Sequence, residues 1–390
     1  MNQGKYVFAQ VADFLPRRIF DRIVKKYDGN LYVKHFTCWN QMLCMIFGQL
    51  NGQDSLSDLL ICISAHRSKY FHLGFGKSVS KNNLSNSNRR RDYKIYEELS
   101  HHLIQVAQQN CFPDDEIIES INGPVFAIDS TVVDLCLNVF WWAEFRKEKG
   151  GIKLHTIFDV KTNIPTFIYI TKALLHDVHF LDVINFEMGA YYVFDKAYID
   201  FFRLFRITLS GSYFVTRMKI NTQYDIISRA KIKKNKGIKS DHTIVLKNHY
   251  ASKEYPAKLR KIRFYDLEKK KMLLFLTNNF DLKAEEIAML YKYRWRVENF
   301  FKWIKQHLKI KSFWGETQNA VKTQIFIAII TYVLISIIRS KTKSEYSNYE
   351  ILRIIGSSLL DKTELRKLLN KNLSQDVKEQ NCNQLKMNLS

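Results

Sequence analysis

The chain has 390 residues, 46% of them hydrophobic and 14% aromatic, which is room for the cores of two or three domains and too apolar for a disordered chain. Lys and Arg outnumber Asp and Glu by 60 to 38, a formal charge of +22, and a balance of that kind favours polyanionic partners. The six cysteines carry no CxxC pairing, which argues against zinc fingers and a disulfide scaffold and fits a reducing compartment.

Met1-Asn2-Gln3-Gly4-Lys5 lacks the apolar core of a signal peptide. Helical spacing then runs through Trp39, Met42, Leu43, Ile46 and Leu50, and again through Leu56, Leu59, Leu60 and Ile63. From Gly74 to Asn88 the chain is polar and loop-like, and Arg89-Arg90-Arg91 leads into a helix through Tyr96, Leu99 and Leu103. An arginine cluster at a helix start suits DNA contact; a solvated helix face accounts for the same residues without function.

The pattern changes near Pro113-Asp114-Asp115. Strands are predicted up to Asp129, from Ile152 to Val160 and from Thr166 to Thr171, the last two joined tightly at Lys161-Thr162-Asn163. A helix from Phe180 to Met188, a strand closing at Asp195, a helix from Tyr198 to Ile207 and a strand from Tyr213 to Thr216 complete a mixed α/β sheet. Residues 218–280 read as a basic, all-β insertion, with strands at Thr243 to Leu246, Leu259 to Tyr265 and Met272 to Leu276 and a scatter of Lys231, Lys233, Lys234, Lys236 and Lys239. A helix capped by Asp281 runs to about Leu308. Ile325 to Ile338 is broken by Thr331, Tyr332 and Ser336 and is short of the roughly 20 residues of a membrane span, so it reads as a buried helix. No membrane partner and a cytoplasmic location are expected. From about Gln375 the chain turns polar and should fray. The expected domains are a helical DNA-binding part over 1–115, a catalytic part over 116–345 and a tail over 346–390.

Three carboxylates stand out. Asp129 closes the run Val125-Phe126-Ala127-Ile128, Asp195 closes Tyr191-Tyr192-Val193-Phe194, and Glu298 sits on a basic helix. At 100° per residue Tyr291, Arg294, Glu298, Lys302 and Lys305 form one stripe of that helix, beside an apolar stripe of Val297, Phe301, Ile304 and Leu308. Two acids at strand ends with a third on a helix are a cage for hard divalent ions such as Mg²⁺ or Mn²⁺, and two such ions about 3.5–4 Å apart serve phosphodiester cleavage. A surface helix held by i,i+4 ion pairs is the plainer account of the stripe. Asp134 and Asp200 lie five residues past a favoured Asp, Asp159 and Asp177 suit turn or capping duty, and His176 and His179 make only a weak zinc signal.

At these residues the chain resembles the insertion-sequence transposases of the IS4 family, DDE transposases with an RNase H-like catalytic core. Their helix signature Tyr-x₂-Arg-x₃-Glu-x₆-Lys stands here as Tyr291, Arg294, Glu298 and Lys305, their first aspartate as Asp129-Ser130-Thr131, and their second as Asp195-Lys196-Ala197-Tyr198-Ile199-Asp200. Phe36-Thr37-Cys38-Trp39 and the segment from Asn83 to Asn88 resemble the helical domain that often precedes that core. The resemblance implies an RNase H-like mixed sheet with an all-β insertion and a small helical N-terminal domain. It implies Asp129, Asp195 and Glu298 as catalytic residues holding two Mg²⁺ or Mn²⁺ ions. It further implies cut-and-paste transposition on double-stranded DNA and a homodimer in the synaptic complex. Tyr291, Arg294, Lys302, Lys305 and Arg217 would hold phosphates, and Arg89, Arg90 and Arg91 would contact DNA. Some relatives stack a flipped base on a tryptophan of the insertion; all six tryptophans here lie outside it, and Trp295 and Trp303 read as core. A non-catalytic DNA-binding protein and an RNase H-like nuclease are the rival readings.

Overall fold

The computed structural model describes residues 4–76, 79–111, 116–136, 140–146, 149–232, 237–310 and 312–371. The expected boundary at Pro113-Asp114-Asp115, the lysines 233, 234 and 236, and the tail from Gln375 with Cys382 lie outside the described residues. The chain forms two compact units: Met1–Cys111 with Leu135–Trp142 and Lys302–Ser390, and Phe112–Asp134 with Ala143–Phe301.

In chain order the helices are α1 (Val7–Ala12), α2 (Arg17–Lys26), α3 (Cys38–Asn51), α4 (Leu56–Ser64), α5 (Tyr70–Leu73), α6 (Lys81–Arg90), α7 (Lys94–Asn110) and α8 (Glu116–Glu119). They continue as α9 (Phe201–Leu209), α10 (His249–Glu254), α11 (Ala284–Tyr293), α12 (Trp295–His307), α13 (Gln318–Thr342), α14 (Asn348–Ser357) and α15 (Leu365–Leu368). Local chemistry sets the boundaries in the helical unit. Thr37 and Asn40 cap α3 reciprocally, and Gly52 ends it in the left-handed conformation at φ 69°. The polar segment before Arg89, expected as a loop, is the helix α6, so the arginines close one helix instead of opening the next. Helix α13 packs against α7, α3, α6 and α14 and is the one described helix long and apolar enough to cross a membrane; 94% of its most apolar window is buried within the protein. It extends past the apolar run at both ends, from the Thr317 cap to Lys343 in the left-handed conformation, and within the run Thr331 and Ser336 donate to the carbonyls of Ile327 and Tyr332, which keeps their hydroxyls satisfied inside the helix.

The second unit is built on one sheet. Its strands are β1 (Val125–Leu135), β2 (Glu144–Arg146), β3 (Lys149–Asp159), β4 (Ile164–Lys172), β5 (Tyr191–Phe194), β6 (Tyr213–Arg217), β7 (Tyr224–Arg229), β8 (Ile238–Leu246), β9 (Leu259–Asp266) and β10 (Lys271–Thr277). They are ordered β2-β3-β1-β5-β6-β10-β9-β8-β7, with β4 on β3. An antiparallel β3–β4 hairpin beside the parallel trio β1-β5-β6 is the expected RNase H-like mixed sheet. The hairpin turns where the Asp159 carboxylate accepts from the Lys161 and Thr162 amides, with Asn163 at φ 58°.

Several elements differ from expectation. Strand β1 runs six residues past Asp129. No helix covers Phe180 to Met188; Phe180, Leu181 and Ile184 reach the core from a short 3₁₀ turn, Asp177–Asp182, and the segment after it. Helix α9 starts at Phe201 because Asp200 caps it through the Arg203 amide. The insertion has a further strand, β7, and the helix α10, so it is not all-β, and β10 pairs with β6, so the insertion prolongs the sheet. The long helix begins after Lys283, not Asp281, and is interrupted at Arg294 between α11 and α12.

The start of α11 is tied to the insertion by one buried ion pair. Arg260 on β9 donates to both Asp241 oxygens, at 3.0 and 2.7 Å, and to the carbonyls of Asn279 and Leu282. Removing the carboxylate would leave a buried guanidinium without its counter-charge, so Asp241→Ala should lower the unfolding free energy by about 3–5 kcal/mol in a denaturant titration.

Candidate active site

Strand register assembles the first part of the site. β1 and β5 pair in parallel from Val125↔Tyr191 to Ile128↔Phe194, and β5 pairs with β6 up to Phe194↔Thr216. The next residue of each strand is Asp129, Asp195 and Arg217, three charged side chains in a row across neighbouring strands about 4.8 Å apart. Arg217 donates to Asp195 Oδ1 through Nε at 3.2 Å and Nη2 at 2.9 Å, and the Lys196 amide donates to the same oxygen at 2.6 Å. Burial pushes the Asp195 carboxyl up, but Arg217 and the Lys196 amide outweigh it and hold it below its ordinary value.

The break between α11 and α12 delivers the second part. Arg294 reaches Asp129 Oδ2 at 3.3 Å and Glu298 Oε1 at 2.5 Å, so one guanidinium ties the strand carboxylate to the helix carboxylate. Its Nε is buried without a hydrogen-bond partner, as is the Tyr291 hydroxyl. Tyr291 packs its ring on Phe275 at 4.9 Å. The structure therefore gathers Asp129, Asp195, Glu298, Arg294, Arg217 and Tyr291 on the sheet unit. A cavity of about 630 Å³ adjoins them, lined by Arg217, Arg294 and Glu298 at one part and by Phe264, Leu273 and Phe275 at another. Trp295 also lines it and is 58% exposed, so it is not a core residue.

A polar cluster that the sequence reading missed stands behind Asp129. Ser130, whose amide donates to Asp129 Oδ1, donates its hydroxyl to Asp177 Oδ1 at 2.6 Å. Lys153, buried on β3, pairs with the same oxygen at 3.0 Å and donates to the Leu175 carbonyl. His155 is fully buried, bonded through Nε2 to Thr171 and stacked on Phe180. The sequence signal was present as alternate polar residues, Lys153 and His155, set among the apolar Ile152, Leu154 and Ile157. Asp177 is thus more than the turn residue expected of it.

The remaining candidates lie elsewhere. Lys302 is exposed and Lys305 lines a cleft of the helical unit that also includes His307 and Arg353. Arg89 and Arg90 are exposed at the end of α6, whereas Arg91 turns inward to Gln41 and the Phe36 carbonyl and is taken up by the fold. Asp134 is exposed, Asp200 caps α9, and His179 leans on Asp182 at 3.7 Å. Trp303 is half-buried against Tyr332.

Among the described residues no three His, Cys, Asp or Glu side chains stand close enough together to hold a metal ion. The donor chemistry nevertheless fits a hard divalent ion: three carboxylates, with Arg294 as the cation now between two of them. An ion held by Asp129 and Glu298 would have to take over the charge that Arg294 neutralises.

Burial lifts the Asp129 carboxyl to about 6, against the pull of the Ser130 amide and Arg294, and drops the His155 imidazole to about 4. Asp129 binds its proton more tightly when folded, so its contribution to stability is lost as pH rises from about 4 to about 6. His155 binds its proton more weakly when folded, so its contribution is lost as pH falls from about 6.5 to about 4. Each is on the order of 3 kcal/mol, and opposed over one window they nearly cancel. The melting temperature of metal-free His155→Gln should therefore rise between about pH 6 and 4, and that of Asp129→Asn should fall.

A family model described as a transposase DDE domain matches residues 122–334, and one described as a domain of unknown function (DUF4372) matches residues 3–76. The putative transposase y4zB of Sinorhizobium fredii is 36% identical over 214 residues, 54% of this chain and 59% of its own. A probable transposase for insertion sequence element IS5377 of Geobacillus stearothermophilus is 32% identical over 227 residues, 57% of this chain and 58% of its own. A putative transposase for insertion sequence element IS4SA of Synechocystis is 22% identical over 291 residues, 74% of this chain and 80% of its own. The chain thus spans under two thirds of the first two relatives. A cryo-EM structure of the piggyBac transposase synaptic complex with hairpin DNA aligns over 96% of this chain and 83% of that one, at 12% identity and a TM-score of 0.46.

Proposed function

The chain belongs to the DDE transposase family, and from that premise we propose that it is a DNA transposase, cutting double-stranded DNA at the ends of an insertion sequence and joining the freed ends to target DNA. The observation that carries this reading is the register that sets Asp129 beside Asp195, with Glu298 joined to Asp129 through Arg294. Family membership implies dependence on divalent metal. The finer reading is two Mg²⁺ or Mn²⁺ ions held by Asp129, Asp195 and Glu298. When bound, such ions polarise the phosphodiester and relieve charge on the attacking and leaving oxygens.

The chain's own residues supply the rest. Arg217 holds the Asp195 carboxylate ionised and oriented, and the Ser130–Asp177–Lys153 cluster steadies the strand beside Asp129. Arg294 and Tyr291 line the site with groups suited to a phosphate, and Lys302 and Lys305 extend the cationic stripe along α12. Phosphodiester hydrolysis frees a 3′-OH, which then attacks target DNA by direct transesterification, with no covalent protein–DNA bond. Trp295 and the apolar wall of its cavity offer a stacking surface for an unpaired base. We further propose a homodimer that pairs two element ends, residues 1–115 as the main DNA-binding part, and action at the nucleoid in the cytoplasm.

The test uses duplexes carrying the inverted repeats that flank the coding sequence. Wild-type protein with Mn²⁺ should nick them and join the ends to a plasmid, and Asp129→Ala, Asp195→Ala and Glu298→Ala should each abolish both steps while duplex binding persists. Nicking that survives in all three variants would eliminate the site. Binding without any nicking would favour a regulator, and nonspecific cleavage without joining would favour a nuclease. In a second measurement Mn²⁺ should raise the melting temperature of the wild type, and Asp129→Asn should remove most of that rise.

A further inference from the structure

Helix α6 is unusual in what it is made of. Its sequence is KNNLSNSNRR, and six of its ten residues are Asn or Ser, which are poor helix formers because their side chains compete for backbone hydrogen bonds. Only Leu84 is apolar, and it is fully buried. The helix is held by few, specific contacts. Ser80 caps it through the Asn83 amide; Asn88, buried one turn beyond Leu84, accepts from Gln41 and has its carbonyl bound by Asn319. Arg91 locks the exit onto Gln41.

With Leu84 and Asn88 facing inward, 100° per residue puts Asn82, Asn86, Arg89 and Arg90 on the opposite side, and all four are exposed. The helix carries Lys81, Arg89 and Arg90 and no acidic residue. Stability does not account for two amides and two guanidiniums displayed this way, since alanine would serve the helix better at each exposed position. Base recognition does: an Asn amide pairs with the N6/N7 edge of adenine, and an Arg guanidinium with the O6/N7 edge of guanine. From Asn82 to Arg90 the row is about 12 Å long at 1.5 Å per residue, or about three to four base pairs.

A second observation points to a ligand on the same side. A cleft of about 790 Å³ borders the helix, with Asn83, Asn86 and Arg90 in one wall and Tyr32, Lys34 and His35 in the other. Tyr32 is 94% exposed and sits at φ 56°, a conformation that costs a bulky residue energy and here secures no burial in the protein. A loop that holds an aromatic ring and the Lys34 ammonium in solvent beside a basic helix suits the sugar–phosphate flank of a duplex seated in the groove.

We propose that α6 reads sequence: Asn82, Asn86, Arg89 and Arg90 contact base edges in the major groove of duplex DNA, with the Tyr32–His35 loop on the adjoining backbone. The element's terminal repeats are the duplex in question, and only that identity rests on the transposase reading.

The experiment is sequence selection by the full-length protein from a randomised duplex pool, without divalent metal, followed by affinity measurements on the selected and a scrambled duplex. Wild-type protein should select one sequence, and it should match the flanking repeats. Asn82→Ala and Asn86→Ala should each cut the ratio of selected to scrambled affinity by about tenfold or more, with scrambled binding unchanged and a melting temperature equal to or above wild type. Arg90→Ala should relax the selectivity at one position of the selected sequence. Wild-type protein that selects no sequence, an Asn82→Ala/Asn86→Ala protein that selects the same sequence with the same ratio, or equal weakening on all duplexes would each overturn the proposal. Specific binding that the variants lose, in a protein whose wild-type form never cuts DNA, would sink the transposase reading and leave α6 as a reading helix.

Discussion

The sheet unit depends on one matter of register. β1, β5 and β6 are parallel neighbours, and their described pairing ends at Ile128, Phe194 and Thr216. Because side chains alternate across a strand, a slip of one residue would turn the following charge to the other face and bury it. All four residues of β5 are buried, as are Phe214 and Val215 of β6, so both faces of these strands are packed, and a slip would exchange the side chains that fill them. Packing of the core and alignment of the chemistry are therefore one constraint, and the position of Asp129 beside Asp195 follows from hydrophobic residues that take no part in the reaction.

Charge is balanced around that row at close range. Arg217 serves Asp195, Arg294 serves both Asp129 and Glu298, and Lys153 serves Asp177 behind them. The interruption at Arg294 is what allows a residue on the α11–α12 line to turn toward the strand carboxylate while Glu298, one turn on, remains in reach. The buried Arg260–Asp241 pair then anchors the chain entering α11, so the insertion acts on the site by setting where that helix line begins.

Much of this was legible in the amino-acid order. Apolar runs ending in Asp marked β1 and β5, and helical spacing marked the acid and base of α12, because burial and periodicity are local signals. Segments whose structure is decided at a distance were harder. Phe180 and Leu181 look helical in isolation, yet they are core residues of an irregular segment. The run Asn82–Asn88 looks like a loop, yet Leu84, Asn88 and their partners on α3 and α13 hold it helical against its own propensity. Strand β7 carries mostly exposed residues and so lacks the apolar run that betrayed its neighbours. The Ser130–Asp177 bond joins residues 47 apart, and no spacing rule could have shown it. In the sequence Trp295 reads as core because tryptophan usually is; only the folded chain reveals its open face.

Arg294 has a consequence for how the molecule is made. A guanidinium keeps its charge at any physiological pH, so the two acids it bridges have a built-in counter-ion from the moment the chain collapses. Maturation of the fold need not wait for an inorganic cation, and the nascent polypeptide escapes the mutual repulsion that unshielded carboxylates would impose. A metal ion entering between these acids would have to displace a tethered cation that never diffuses away.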